Sequence, residues 1–321
     1  MMSILLRPIK DYYRKRLNPS PQPLPELLKN LKGNDYYSNS KKGVTEPGQL
    51  KIQKFGELNK DKTFYVIKRT PGTGLFSNVV FVLNHLNYAK KLKYIPIVDM
   101  KNYITVYNEI NKIKKNNNAW EYYFNQTTEF SLDEVYQSHN VIITDNTFYH
   151  SFTYDMENIE LKNIIKLENL VKKNFIKIAN KIKKKTFDKK VIGVHFRGTS
   201  YKQSTGHPMP ATKIQMKNLV KKIMERDKID KIFLATEEKD YLEFFLREFK
   251  DKVIYLKSAY RSNKNDAFKI YPRAKHRYKL GRESLLEAIL LSECDNMIYV
   301  NSNITSAAIA SNAVTSAAVA D

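Results

Sequence analysis

Residues 63–99 read TFYVIKRTPGTGLFSNVVFVLNHLNYAKKLKYIPIVD. The apolar run at 63–68 predicts a β-strand, and the proline and glycines at 71–74 predict a turn. The apolar spacing over 76–91 predicts a helix, and 94–99 predicts a second buried strand. A strand, a turn, a helix and a strand within roughly 35 residues are typical of a parallel β–α–β crossover. This stretch therefore predicts an α/β protein with a parallel sheet.

The same alternation continues to the end of the chain. Further predicted strands lie at 141–145, 191–196, 231–236, 253–256 and 296–301, and further predicted helices lie at 164–182, 211–226, 238–249, 282–293 and from Asn303 onward. Alternation in both halves favours two Rossmann-like domains that face each other across a cleft. We place an N-terminal basic segment and linker at 1–60, a first domain with its connecting helix at 61–185, and a second domain at 186–321.

The composition sets bounds on the class of protein. At roughly 150 residues per domain, 321 residues correspond to about two domains. Lysine and arginine number 55 against 33 acidic residues, and the net charge of +22 favours anionic partners. The heavy use of Lys, Asn and Ile is also what an AT-rich genome produces, so both interpretations of the charge stay open. The single cysteine, Cys294, excludes an internal disulfide and a cysteine-based zinc site.

The start of the chain carries a short basic amphipathic segment. Within residues 1–17, apolar residues such as Ile4 and Leu5 alternate with lysine and arginine. The segment either docks on an anionic membrane face or packs as a helix on the protein itself. It lacks the pattern of a secretory signal, and no apolar run approaches the ~20 residues that cross a bilayer. We therefore expect a cytoplasmic protein, attached to the inner membrane face if the segment docks.

Polar and charged side chains follow three of the predicted strands in the second half. They are His195, Arg197 and Gly198 after the first strand, Thr236, Glu237 and Glu238 after the second, and Ser302, Asn303 and Thr305 after the fourth. Because open parallel sheets bind ligands at the carboxyl ends of their strands, we expect these residues to line a site. Arg197 has a planar fork of donors that suits a diphosphate, and Gly198 lets a ligand approach the backbone. The alternatives are local ones: an arginine paired with a carboxylate, and side chains that cap the following helices.

Two weaker signals belong to the same candidate site. Glu287, on a predicted helix, is a carboxylate that suits the paired N–H donors of a guanine edge, although a solvated helix carboxylate is the commoner role. Gly72 and Gly74 lie in the strand-to-helix turn of the first half. That turn lacks the third glycine of a dinucleotide fingerprint and the Gly-Lys-Ser/Thr of a P-loop. The chain also has no Asp-x-Asp pair of the kind that holds a divalent cation on a sugar nucleotide.

Taken in order, these motifs resemble a known family. The runs at 193–199, 234–238 and 291–303 are similar in order and spacing to the three motifs shared by α-1,6-fucosyltransferases, bacterial nodulation fucosyltransferases and protein O-fucosyltransferases. The run at 72–78 resembles the glycine loop of their first domain, with Gly74 where that loop approaches the diphosphate. Runs that resemble a group of bacterial surface-polysaccharide glycosyltransferases with the same architecture lie at 118–124, 197–201 and 206–208.

The resemblance implies an inverting, metal-independent GT-B enzyme that uses a GDP-sugar, carrying fucose or a related sugar. It implies an acceptor-binding first domain and a donor-binding second domain. By the same resemblance, Arg197 grips the β-phosphate, His195 lies beside the guanine and ribose, and Glu287 contacts the guanine edge. Ser302 and Asn303 fall where the family has phosphate-contacting serines. The full set of predicted donor-binding residues is Gly72, Gly74, His195, Arg197, Gly198, Thr236, Glu287, Ser302, Asn303 and Thr305.

The predicted chemistry is transfer of the sugar to a hydroxyl group. Arg197, the N–H groups that open the last helix, and Lys202 are predicted to stabilise the charge on the leaving diphosphate. Asp99, His207 and Glu237 are the candidates for the general base, and the sequence does not rank them. Arg197 is therefore the residue on which the predicted catalysis depends most.

Two features of the chain qualify the resemblance. Gly198 stands where fucosyltransferases often carry a second arginine, and Ser200 stands where they usually carry an aspartate.

The aromatic residues Trp120, Tyr122 and Tyr123 form either a sugar-stacking platform or part of the core, and burial is the commoner role for such a run.

The predicted partners are a nucleotide-sugar donor and a capsular, lipid-linked or other surface glycan as acceptor. We expect no separate cofactor, no metal and no nucleic acid. Two alternatives stay open. The first is a basic nucleic-acid-binding protein, which the net charge and the 12% aromatic content would suit. The second is a Rossmann oxidoreductase that uses the turn at 72–74, with Asp99 on the ribose.

Overall fold

The structure, a computed structural model of the chain, describes residues 50–145, 170–198, 210–264, 266–299, 302–311 and 317–319. These residues form two sheets, one in each half of the chain, with helices packed on their faces.

The first sheet contains four strands: β1 (Ile52–Gln53), β2 (Leu58–Ile67), β3 (Ile95–Val98) and β4 (Ser138–Ile143). Their order is β1-β4-β2-β3. β2 is parallel to β3 and β4, and β1 runs antiparallel to β4. Helix α1 (Leu75–Lys91) connects β2 to β3, which confirms the predicted β–α–β crossover. A 3₁₀ turn at Trp120–Tyr122 and the short helix α2 (Leu132–Val135) precede β4.

The second sheet contains five strands: β5 (Val191–His195), β6 (Lys231–Ala235), β7 (Val253–Ile254), β8 (Asn296–Tyr299) and β9 (Ala317–Val319). Their order is β7-β6-β5-β8-β9, and every pairing is parallel. The helices of this half are α3 (Lys173–Thr186), α4 (Lys213–Asp227), α5 (Lys239–Phe249), α6 (His276–Ser292) and α7 (Asn303–Ser311), with a 3₁₀ turn at Lys250–Lys252.

The predicted strands and helices overlap the observed ones, with three differences. Helix α6 begins at His276 rather than at 282, because contacts from the first half hold its first turn. Glu109 Oε1 accepts a hydrogen bond from Tyr278 N at 2.9 Å, and Tyr123 Oη donates to Tyr278 O at 2.9 Å. Helix α3 begins at Lys173, and the predicted part before residue 170 lies outside the described residues. Strand β9 was not predicted, because its small residues carry no strand pattern.

Alternating side chains of the central strands divide the core. Phe64 and Val66 face one side of the first sheet, and Tyr65 and Ile67 face the other side, with α1. The largest cluster of buried side chains runs from that α1 side to the α6 side of the second sheet, so both sheets contribute to one core. On the α6 side, Gly193 has no side chain, and this lets the end of α6 approach β5 closely. A Cβ at this position would lie 3.1 Å from Cys294 Sγ.

Within the part of the chain that the structure describes, no helix has both the length and the apolar character needed to cross a membrane. The division into domains at residues 60 and 185 stays a prediction.

Candidate active site

The three central strands of the second sheet end in one row. His195, the last residue of β5, pairs with Ala235 of β6 on one side and Tyr299 of β8 on the other. Phe196 N donates to Ala235 O at 2.9 Å, so β5 and β6 stay joined one residue further. The residues that follow these strands therefore emerge together at one edge, where ligands bind in open parallel sheets.

Arg197 and Glu237 meet at this edge. Arg197 Nε lies 3.5 Å from Glu237 Oε1, and the two side chains are 29% and 35% exposed. The same carboxylate oxygen accepts a hydrogen bond from Gly198 N at 3.2 Å. An ion pair this exposed contributes only about 0–1 kcal/mol to stability. Its geometric effect is larger, because Glu237 fixes both the guanidinium and the backbone beside it.

A glycine is required at position 198 because the Glu238 side chain occupies the space that a Cβ would need. A Cβ at this position would lie 2.2 Å from Glu238 Oε1, and Glu238 is buried. The backbone of Glu238 is held in turn, because its N–H donates to Thr236 Oγ1 at 3.2 Å. Thr236 thus closes the local turn after β6, but it does not cap α5, whose N-cap residue is Glu238. The space beside Gly198 is therefore filled by Glu238 and is not open for a ligand, contrary to the expectation from the sequence.

His195, Ser302 and Thr305 form a buried polar group at the start of α7. Ser302 Oγ lies 3.4 Å from His195 Nδ1. Ser302 N donates to Thr305 Oγ1 at 3.1 Å, and Thr305 N donates back to Ser302 Oγ at 3.4 Å. This reciprocal capping orients the first turn of α7, and Asn303 lies half-buried beside it. A helix start at the edge of a parallel sheet favours a bound anion.

Glu287 on α6 pairs with an arginine that the sequence interpretation did not single out. Arg261 Nη2 lies 3.4 Å from Glu287 Oε1, while Arg261 Nη1 donates to the carbonyls of Leu256 (2.9 Å) and Ala259 (3.2 Å). Burial raises the pKa of Glu287 to about 8; the positive charge of Arg261 opposes this rise, and the nearby carboxylates of Glu283 and Glu237 add to it. Arg261 lies in the irregular segment between β7 and α6, where no sequence pattern marks it.

A second arginine fixes the same segment. Arg273 makes two hydrogen bonds to Glu283, of 2.7 and 2.6 Å, and donates to Ser258 O at 2.8 Å. Its Nε donates to His276 Nδ1 at 3.1 Å, and His276 Nε2 donates to Ala267 O at 2.8 Å. Burial lowers the pKa of His276 to about 4, so this imidazole is neutral and structural.

The glycine turn of the first half leads into α1. Gly72 adopts a φ of 70°, and a Cβ there would lie 2.7 Å from Asn78 Oδ1, which accepts a hydrogen bond from Thr73 N at 3.0 Å. Gly74 precedes α1, and a Cβ on it would meet no atom within 4 Å. Helix α1 packs against α7. Burial raises the pKa of Tyr107, and a hydrogen bond with the Leu75 backbone and the positive charge of Arg197 both oppose that rise. The charge of Arg197 therefore acts on Tyr107, whose side chain bonds with the backbone of the first residue of α1.

Asp99 serves the turn that follows β3. Its Oδ1 accepts hydrogen bonds from Lys101 N (2.9 Å) and Asn102 N (2.8 Å), and its Oδ2 accepts from Asn102 Nδ2 (2.9 Å) and Tyr136 Oη (2.8 Å). The carboxylate is fully buried. With these four bonds in place, the geometry favours neither proton transfer nor contact with a ribose by Asp99.

Two other predicted groups have different outcomes. Trp120, Tyr122 and Tyr123 are buried, and their polar atoms are used internally; Trp120 Nε1 donates to Asn125 O at 3.1 Å. The sugar-stacking platform is therefore wrong, and the core role is confirmed. His207 and Lys202 lie outside the described residues. Among the described residues, no group of three or more His, Cys, Asp and Glu side chains is placed to hold a metal ion.

Comparisons with known proteins identify the fold. No protein-family model and no curated protein sequence matches the chain. The chain is similar to the crystal structure of NodZ α-1,6-fucosyltransferase co-crystallised with GDP, with a TM-score of 0.50, 15% identity, and coverage of 77% of this chain and 92% of NodZ. A NodZ crystal soaked with GDP-fucose gives a TM-score of 0.50, 15% identity, and coverage of 78% and 93%. POFUT1 in complex with GDP gives a TM-score of 0.50, 10% identity, and coverage of 81% and 99%.

At these identities the likeness concerns the fold. It confirms the predicted α/β fold with parallel sheets, as a fold that the chain shares with NodZ and POFUT1. The arrangement of two domains across a cleft stays a prediction, as do the roles of the individual site residues.

Proposed function

We propose that the chain is a glycosyltransferase that takes its sugar from a GDP-sugar donor. One observation supports this most: Arg197, His195 and the start of α7 meet at the carboxyl edge of a parallel sheet. The solved structures that share this fold include NodZ and POFUT1 with GDP. The same edge in this chain has the cationic and N–H donors that a diphosphate requires.

In this proposal the diphosphate lies between Arg197, the first turn of α7 and Gly74. Arg197 contributes a positive charge, and its Nε lies 3.5 Å from Glu237 Oε1. The α7 start contributes oriented N–H groups, and the bare backbone at Gly74 allows close approach. Donors that are already oriented stabilise the charge that develops on the leaving GDP without reorganisation. We propose that no metal ion takes part in this step.

The proposed reaction is an inverting transfer of fucose or a related sugar to a hydroxyl. The acceptor oxygen attacks the anomeric carbon from the face opposite the diphosphate. A bond from that oxygen to the anomeric carbon forms, the bond from the carbon to the β-phosphate oxygen breaks, and its electron pair leaves with GDP. A general base takes the hydroxyl proton. Of the three candidates, Glu237 and His207 remain in the proposal, and Asp99 does not, because its carboxylate is enclosed in the turn after β3.

The proposed acceptor is a capsular, lipid-linked or other surface glycan, and the proposed location is the cytoplasm, with peripheral attachment to the inner membrane face. The net charge of +22 supports contact with an anionic membrane surface. Residues 1–17, which would make this contact, lie outside the described residues.

Calorimetric titration with GDP, UDP, NAD and a short DNA duplex tests the donor assignment. We expect GDP to bind without added metal. We expect Arg197→Ala to weaken GDP binding and to lower donor turnover by about 100- to 1000-fold, as the loss of one oriented charge-stabilising donor lowers kcat. Arg226→Ala is the matched control, because Arg226 is 60% exposed and pairs with Asp227 on α4. Preference for UDP would overturn the assignment of guanine as the base. Tight DNA binding without nucleotide preference would overturn the assignment of the chain as a glycosyltransferase.

A further inference from the structure

Arg261 and Glu287 form a buried side-chain pair. Arg261 Nη2 lies 3.4 Å from Glu287 Oε1, and the side chains are 6% and 13% exposed. The guanidinium also lies 5.4 Å from the ring of Tyr255. Burying a guanidinium and a carboxyl group is costly unless hydrogen bonds satisfy them, and the 3.4 Å contact between Nη2 and Oε1 is long for a hydrogen bond. The pair therefore has capacity for a further partner.

Arg273, in the same segment, is an arginine whose three guanidinium nitrogens all donate hydrogen bonds within the protein. Arg273 makes two short hydrogen bonds to Glu283, and its remaining nitrogen donates to His276. Arg261, in contrast, uses Nη1 on backbone carbonyls and has one long contact from Nη2. Its Nε is buried and donates to no atom among the described residues. The donors of Arg261 are thus not used up by the protein.

The chemistry of the pair complements guanine. An N–H donor beside the two acceptor oxygens of a carboxylate is a donor–acceptor–acceptor array. The Watson–Crick edge of guanine presents the opposite array: the acceptor O6, then the donors N1–H and N2–H. Adenine places an amino donor where guanine has O6, against the guanidinium. Uracil places the acceptor O2 where guanine has its amino group, against a carboxylate oxygen.

The pair also lies at a suitable place. Ser262, the residue after Arg261, donates from its backbone N to Glu237 O at 3.0 Å. The side chain of Glu237 contacts Arg197, the proposed phosphate-binding residue. The charge of Glu237 also acts on Glu287. Glu237 thus separates a phosphate-binding side from a base-binding side of one continuous site.

We propose that Arg261 recognises O6 of the donor's guanine and, beside Glu287, makes the site selective for 6-oxopurine nucleotides. This inference rests on the proposed function and adds to it a specificity-determining residue outside the resembled motifs. Arg261 donates to O6, and the Glu287 carboxylate accepts from N1–H and N2–H. The nucleotide thereby supplies the partners that the buried pair lacks.

The test combines a change in the protein with a change in the ligand. Dissociation constants are measured at pH 7 for GDP and for 6-thio-GDP, in which a weakly accepting sulfur replaces O6. We expect the wild-type chain to bind 6-thio-GDP at least about 10-fold more weakly than GDP. In Arg261→Met, GDP binding weakens by about 10- to 100-fold, the range for one lost base contact, and the two ligands become equal.

Arg273→Met is the matched control, because Arg273 holds the same segment and also pairs with an acid on α6. It should keep the wild-type preference for GDP over 6-thio-GDP. An unchanged preference in folded Arg261→Met would overturn the inference. If thermal unfolding shows that Arg261→Met does not fold, the same comparison of GDP with 6-thio-GDP is made with Arg261→Lys and the wild type. Equal binding of the two ligands by the wild type would also overturn the inference. Failure of the wild type to bind GDP at all would refute the proposed function instead.

Discussion

Binding of GDP should depend on pH through Glu287. Burial holds the pKa of this carboxyl at about 8 in the free protein, so near neutral pH it is mostly protonated. The paired N–H donors of guanine bind the ionised carboxylate, so binding must remove the proton. Raising the pH ionises Glu287, and the affinity for GDP therefore increases with pH until it levels off above the pKa.

The magnitude follows from that pKa. With a pKa of about 8, only about one tenth of Glu287 is ionised at pH 7 and about one hundredth at pH 6. Relative to the plateau, GDP should bind about 10-fold more weakly at pH 7 and about 100-fold more weakly at pH 6, or about 1.4 kcal/mol per pH unit. At pH 7, close to one proton should be released for each GDP bound.

Isothermal titration calorimetry in two buffers with different ionisation enthalpies measures both quantities, over pH 6 to 8.5. The charged groups that face Glu287 are Arg261 from the segment before α6, Glu283 on α6 itself and Glu237 after β6. Glu287→Gln removes the titrating group and should therefore remove its contribution to the pH dependence of GDP affinity. Ionisation of GDP itself affects the wild type and Glu287→Gln equally, so it does not contribute to the difference between them. A flat wild-type profile, or the same slope and proton release in Glu287→Gln, would refute the reasoning.

Two further predictions concern stability. Gly198→Ala should lower the free energy of unfolding by about 1–3 kcal/mol, because the new Cβ would overlap the buried Glu238 carboxylate. Gly74→Ala should leave the free energy of unfolding unchanged, because a Cβ there meets no atom within 4 Å. Denaturant unfolding of both variants checks this, and equal losses would contradict it. Glu109→Gln should cost about 1–2 kcal/mol, because its carboxylate accepts from Tyr278 N and Tyr271 Oη at the start of α6. The exposed Glu129→Gln is its control, and indistinguishable unfolding midpoints for the two variants would show that Glu109 contributes nothing there.

The sequence predicted those parts of the molecule that depend on local pattern. The alternation of apolar residues located β2, β5 and β6, and the polar residues after them identified the edge at which Arg197, Glu237 and His195 meet. Strand ends are local features, and parallel pairing in register brings them together. Buried Trp120 followed the same logic, since apolar aromatic runs usually enter the core.

The missed parts depend on contacts between distant residues. Arg261 becomes a site residue only because it meets Glu287, 26 positions further along the chain, across a segment without regular structure. The first turn of α6 forms because Glu109 and Tyr123, far away in sequence, hold it. Asp99 follows a strand as an active-site acid would, but its role is decided by Tyr136 Oη and backbone N–H groups that no local pattern reveals.

Helix α6 connects the two halves of the molecule mechanically. Its first turn is held by Glu109 and Tyr123 of the first half, and Glu287 lies nine residues after Tyr278, or about 14 Å along the axis. A helix of this length moves as a rod, so a shift of the first half on that first turn displaces the carboxylate at the proposed base site. If a ligand that binds the first half shifts this turn, it changes the affinity of the proposed base site for the nucleotide, and the nucleotide then changes the affinity for that ligand by the same factor.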